Sequence, residues 1–266
     1  MGRKPQAGFN NMATDYDKEI HIIQDIQEVE ESDVLILSDD GGTDEYRETA
    51  SIIDKIIDKE YFKLHWVDNS GKNLLPPDFL NDDDGLMMEV MRFDDHSKNG
   101  KKNPAREKES RMYNEIKSLF PGHERLVINA VTNLPTDEDH NYEFYYGGFK
   151  RALTKHLKKL PKYRENHPGK KAIFLMCDES SGTYFEKSSN GHGRLHVFFL
   201  DKRFLDIFFG CDLDYLIWYA PYKYFYTFEK HKNFPQIVIF DIRGFANNKK
   251  IVPLVFNSSK MLSTEK

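Results

Sequence analysis

The sequence predicts an α/β protein with a mixed central sheet flanked by helices. Short apolar runs such as Ala172 to Cys177 end abruptly in turn residues, as strands buried on both faces do. Other segments carry apolar residues at three- and four-residue steps, the period of an amphipathic helix. The two kinds are interspersed, which favours helices packed on a sheet.

The chain has 266 residues, 39% of them hydrophobic and 30% charged, enough for a sizeable core under a heavily solvated surface. We expect one compact domain over residues 14–257, with a possible subdomain up to about residue 122. Residues 1–13 and 258–266 are polar and read as flexible ends. No stretch reaches the ~20 apolar residues of a spanning helix, so no membrane partner is expected. The start of the chain has no apolar core of a secretory signal. Cys177 and Cys211 are the only cysteines and demand neither a disulfide nor a zinc site, so a cytoplasmic location is expected.

Residues 17–30 fit a short helix or an edge strand. Residues 33–37 read as a strand, and Asp39 to Gly42 as a turn. A helix follows to about Asp58, with Ala50, Ile53, Ile56 and Ile57 as its stripe. The alternation of Phe62, Leu64 and Trp66 predicts a strand over 61–67. Met, Glu and Arg in 86–92 favour helix, with Asp82 to Asp84 supplying its N-terminal acids. A helix over 105–119 and a strand over 126–131 come next. The clearest helix runs from Tyr142 to Leu160, stopped by Pro161 and weakened early by Gly147-Gly148. Strands are expected at 172–177, 183–187, 195–200, 214–219, 236–241 and 251–256, with a short helix capped by Asp201 before 209. Residues 142–219 thus read helix, strand, strand, strand, helix, strand, an order found at the core of many metal-dependent nucleases.

Charge is distributed unevenly around a net −5. Asp78 to Asp95 is strongly acidic, and Lys150 to Lys171 is strongly basic, which permits an acidic site beside a basic face. Asp178 and Glu179 stand at a strand's carboxyl end, where α/β proteins most often hold ligands. Adjacent residues of a strand point to opposite faces, so both can serve one site only if the chain turns there. Their oxygens suit Mg²⁺ or Mn²⁺. Asp94, Asp95 and His96 form an acid–histidine cluster that could complete a metal site, and Asp137 to His140 forms another that reads as a solvated loop. His196, placed inside a strand, needs a polar partner and could orient a water or ligand. Lys150, Arg151, Lys155, Lys158 and Lys159 could follow nucleic-acid phosphates. Tyr215 and Trp218 read as core, while Tyr222, Tyr224 and Tyr226 lie beyond Pro221 and read as exposed rings able to bind a protein partner.

Pro77-Asp78 followed by Glu89 invites comparison with PD-(D/E)xK nucleases. Met91 stands where that pattern has lysine, and the pattern needs a strand at Glu89 where composition favours helix. The chain is therefore not assigned to that family. Gly-x-Gly-x-x-Gly, Walker, His-Glu-x-x-His, Cys-x-x-Cys and Gly-x-Ser-x-Gly motifs are missing. The expected function is a divalent-metal-dependent nuclease or related phosphodiesterase acting on nucleic acid. Its site would use Asp178, Glu179 and His196. The alternative is a non-catalytic intracellular protein-binding module.

Overall fold

The structure, a computed structural model, describes residues 15–39, 44–69, 76–95, 141–180, 182–188, 193–226, 231–248 and 251–263. Its centre is a seven-stranded mixed sheet with helices on both faces. In sheet order the strands are β1 (Val34–Leu37), β11 (Ile237–Asp241), β8 (Tyr215–Tyr219), β5 (Lys171–Asp178), β4 (Leu86–Phe93), β3 (Phe79–Asn81) and β2 (Val67–Asp68). β4, β5 and β8 run parallel, so their carboxyl ends share one edge. β11 is antiparallel to β8 and parallel to β1. The sheet therefore joins strands from both ends of the chain.

One face carries α1 (Asp15–Ile26), α2 (Asp44–Ile57) and α3 (Lys59–His65). Ile23, Ile26, Ile53, Ile56 and Phe62 pack there on Ile173, Leu175, Ile217 and Ile239. The other carries α4 (Tyr142–Leu157), α5 (Leu160–Asn166), α6 (Lys202–Phe208) and α7 (Ile242–Asn247). Its core is aromatic: Phe149 stacks on Trp218 at 4.5 Å between centroids, and Phe204 meets both. No helix among the described residues is long and apolar enough to cross a membrane. A second sheet holds β12 (Met261–Ser263), β6 (Tyr184–Lys187) and β7 (Gly193–Leu195). β9 (Tyr224–Tyr226) and β10 (His231–Asn233) form a hairpin.

Several local expectations are corrected. Of the strand expected at 61–67, residues 61–65 are helical and only Val67 is extended, as the first residue of β2. Asp58 caps α3 by accepting from the N–H groups of Glu60 and Tyr61, and Phe62 stacks on Trp66 one turn later. The spacing that looked like alternation is also helical, and Leu64 between them is exposed. Residues 86–92 are not helix but the buried strand β4, paired on both sides. The acids read as helix capping form the preceding hairpin turn. Asn81 Oδ1 accepts from the N–H of Asp84, and Gly85 takes φ +64°. Glu89 therefore does lie on a strand, and Met91 remains where a lysine was wanted.

The long helix ends at Leu157. Pro161 does not stop it but sits in the first turn of α5, where its missing N–H is harmless. Of the strand expected at 195–200 only Leu195 is extended, as the last residue of β7; Phe198–Leu200 is a 3₁₀ turn. Residues 251–256 make a single bridge, Leu254 to Asp201. The expected flexible end instead contributes β12, paired with β6. The three strands of the nuclease-like order do not pair in sequence, since β5 belongs to the large sheet and β6 and β7 to the small one. The elements expected at 105–119 and 126–131 lie outside the described residues.

Candidate functional site

The carboxyl ends of β4, β5 and β8 bring Asp94, Asp95, Asp178 and Lys223 to one edge of the sheet, all buried. Asp178 is the last residue of β5, and its register partner Phe93 leads directly into Asp94 and Asp95. Its carboxylate is fully buried and surrounded by donors. Oδ2 accepts from the Tyr145 hydroxyl at 2.7 Å and from the Trp218 indole N–H at 3.3 Å. Oδ1 accepts from the Ser180 N–H at 3.0 Å and the Ser180 hydroxyl at 2.5 Å. Lys223 Nζ stands 4.0 Å from Oδ2. Burial pushes the carboxyl above the usual carboxylate range, and Lys223 with the hydrogen bonds opposes that push.

Lys223 follows β8 by four residues. Its ammonium donates to Ser180 Oγ at 2.7 Å and to the Gly182 carbonyl. It lies 4.3 Å from the centre of the Tyr145 ring and 5.7 Å from that of Tyr184. Ser180 thus accepts from the lysine and donates to Asp178, linking the two charges. Tyr145 and Tyr184 stack at 5.4 Å, and Tyr184 donates to Asp95 Oδ2 at 2.6 Å. The aromatic pair therefore carries a hydroxyl to each of two carboxylates. Burial, together with the charge of Asp178, holds the Tyr145 phenol protonated.

Two glycines make the approach possible. A Cβ at Gly148 of α4 would lie 2.3 Å from the Asp94 carbonyl oxygen, so only glycine lets the helix sit this close to the end of β4. A Cβ at Gly182 would lie 2.9 Å from Asp95 Oδ2.

His196 borders the cluster. It follows β7 rather than lying inside a strand, and its ring is buried between Tyr142 and Phe256. Nε2 is 2.8 Å from Asp201 Oδ2, which also accepts from the Tyr142 hydroxyl at 2.6 Å. Burial lowers the imidazole pKa, while Asp201 opposes the shift. The polar partner that the sequence demanded is therefore Asp201, which also caps α6 through the Arg203 N–H.

The structure separates other residues. Glu179 pairs with Arg92, whose strand neighbours Val90 and Met88 belong to the opposite face from Asp178. The chain does not turn soon enough to bring the adjacent acids together. His96 and Asp137 to His140 lie outside the described residues. Among the described residues no group of three or more His, Cys, Asp or Glu side chains is arranged to hold a metal ion. Of the acids expected to bind metal, Asp94 and Asp95 share this edge with Asp178, whose oxygens are already engaged.

Lys150, Arg151, Lys155, Lys158 and Lys159 are all exposed, on α4 and just beyond it. A helical rise of about 1.5 Å per residue carries Lys155 about 15 Å along the axis from Tyr145. The cations thus trail away from the cluster. Tyr215 and Trp218 are core, as expected. Tyr222 is not an exposed ring: it is half-buried, and burial pushes its phenol up to about 12. The side chains of Tyr224 and Tyr226 lie outside those described.

Sequence reasoning missed Lys223, Ser180, Tyr145 and Tyr184 as site residues. A lysine between two tyrosines just beyond a fully apolar strand was the available signal for Lys223. The tyrosines gave none, because they read as ordinary core positions. No protein-family model matches the chain. No curated protein and no solved structure matches it either.

Proposed function

We propose that the chain is a divalent-metal-dependent phosphodiester hydrolase of the nuclease type, working at the carboxyl ends of β4, β5 and β8. The observation that carries this reading is the meeting of Asp94, Asp95, Asp178 and Lys223 there, from three separate stretches of sequence. Carboxylates bind hard cations, and an ammonium offsets charge gathering on phosphoryl oxygens. In this reading Asp94 and Asp95 would hold Mg²⁺ or Mn²⁺, and the chemistry the ion would supply is activation of a water. Asp178 and Ser180 position Lys223 toward the phosphate. The His196–Asp201–Tyr142 group fixes the neighbouring wall, and the exposed cations of α4 hold flanking backbone. Cys177 and Cys211 are not joined in a disulfide, which fits a reducing, cytoplasmic setting.

One observation favours a second reading. Asp178 is fully buried with every oxygen engaged, as in a structural fastener. The chain is then a non-catalytic binding protein. Labelled single-stranded DNA, duplex DNA and RNA should be incubated with the protein in Mn²⁺ or in EDTA. The nuclease reading expects cleavage in Mn²⁺ alone, lost in Asp95→Asn, and a melting temperature raised by Mn²⁺ in wild type only. No cleavage of any substrate and no metal-dependent rise sink it and leave the binding reading.

A further inference from the structure

Asp78 and Glu89 face each other across the β3–β4 hairpin, one step beyond the paired residues Phe79 and Met88. Glu89 is buried, and its two oxygens are unequal. Oε1 accepts from the Tyr163 hydroxyl at 2.7 Å and lies 2.7 Å from His156 Nδ1. Oε2 is buried with no hydrogen-bond partner. On the other side, Asp78 Oδ2 accepts from the Val90 N–H at 2.8 Å. A buried carboxylate oxygen without a donor, beside a second carboxylate, is unfavourable unless a proton lies between them.

We infer that Asp78 keeps its proton at neutral pH and faces the orphaned Oε2 of Glu89 with it, so that the β3–β4 hairpin carries a device released by alkali. Burial, reinforced by the charge of Glu89, pushes the Asp78 carboxyl up to about 8. The groups facing the pair are accounted for. Glu19 of α1 and Asp68 of β2 add negative charge on the Asp78 side. His156 of α4 and Tyr163 of α5 attend Glu89. Among the described residues no lysine or arginine pairs with either acid; Lys170 nearby is engaged by Asp82. The unfolded chain gives up this proton near 3.8. The folded state thus binds an extra proton between the two values, and its stability falls as pH rises through that window.

Urea unfolding of the full chain should be followed from pH 6 to 9 for wild type, Asp78→Asn and Glu89→Gln. Relative to Asp78→Asn, the wild-type unfolding constant should rise about tenfold per pH unit and level off above about pH 8. Glu89→Gln, with no facing charge, should show a shallower rise. Infrared spectra should show a protonated-carboxyl C=O band that titrates over this range in wild type, is missing in Asp78→Asn and titrates at lower pH in Glu89→Gln. A flat ratio of wild type to Asp78→Asn overturns the inference. Should one variant fail to fold, a band unchanged in the other overturns it equally.

Discussion

Replacing Lys223 by Met tests whether the buried charges form one interacting unit. The side chains of Lys223 and Asp178 are 2% and 0% exposed. Removing one partner of a buried pair costs about 3–5 kcal/mol, because the other charge stays behind uncompensated. Here Asp178 keeps its bonds from Tyr145, Ser180 and Trp218, which places the cost near the lower end, about 3 kcal/mol. Against a typical domain stability of about 5–15 kcal/mol that is a large loss. Urea unfolding of Lys223→Met, Asp178→Asn and the double variant closes the cycle. We expect the double variant to be more stable than the sum predicts by about 1–3 kcal/mol. The pH dependence adds a second check. Lys223 lowers the Asp178 pKa, so its removal raises further a value that burial has already raised. An acid with a raised folded-state pKa costs stability progressively as pH climbs above its unfolded value. The deficit of Lys223→Met against wild type should therefore be smaller at about pH 4.5 than at about pH 7. Additivity within about 0.5 kcal/mol, with a deficit flat in pH, would refute the coupling.

The glycine pair in α4 should respond with opposite signs. A Cβ at Gly148 meets a backbone oxygen that cannot move aside, so Gly148→Ala should lose about 1–3 kcal/mol by overpacking. At Gly147 the Cβ meets only the end of the Arg151 side chain at 3.1 Å, so Gly147→Ala should gain up to about 1 kcal/mol from helix propensity. Urea midpoints read both. Asp58→Ala removes the two capping bonds of α3 and should cost about 0.5–2 kcal/mol by the same measurement.

The legible strands were those whose burial is written continuously. Residues 172–177, 215–219 and 237–240 are apolar or aromatic at every position because both sheet faces are covered. β4 is covered on both faces too, but Glu89 and Arg92 interrupt its run. Glu89 is tolerated there because His156 and Tyr163, more than sixty residues away in sequence, reach it. No local reading supplies those partners. The Asp82 to Gly85 stretch could cap a helix or turn a hairpin, and only pairing with β5 decides for the hairpin. His196 was legible as a residue needing a partner, but not its 3₁₀ neighbourhood, since Phe198 and Phe199 carry the composition of a strand.

The site divides along the same line. Asp178 is legible because position at a strand end is a local property. Lys223 is not, because a lysine's burial is set by what folds over it, here the rings of Tyr145 and Tyr184. That enclosure gives the two functional readings a common question. In a fastener the ammonium exists to neutralise Asp178, and exchanging both for a neutral pair should leave the rest undisturbed. In a hydrolase the same ammonium must also serve a charge that arrives from outside, so a neutral pair that restores stability should leave the protein inactive. The double variant that closes the stability cycle, carried into the cleavage assay, thus separates the lysine's structural work from any chemistry.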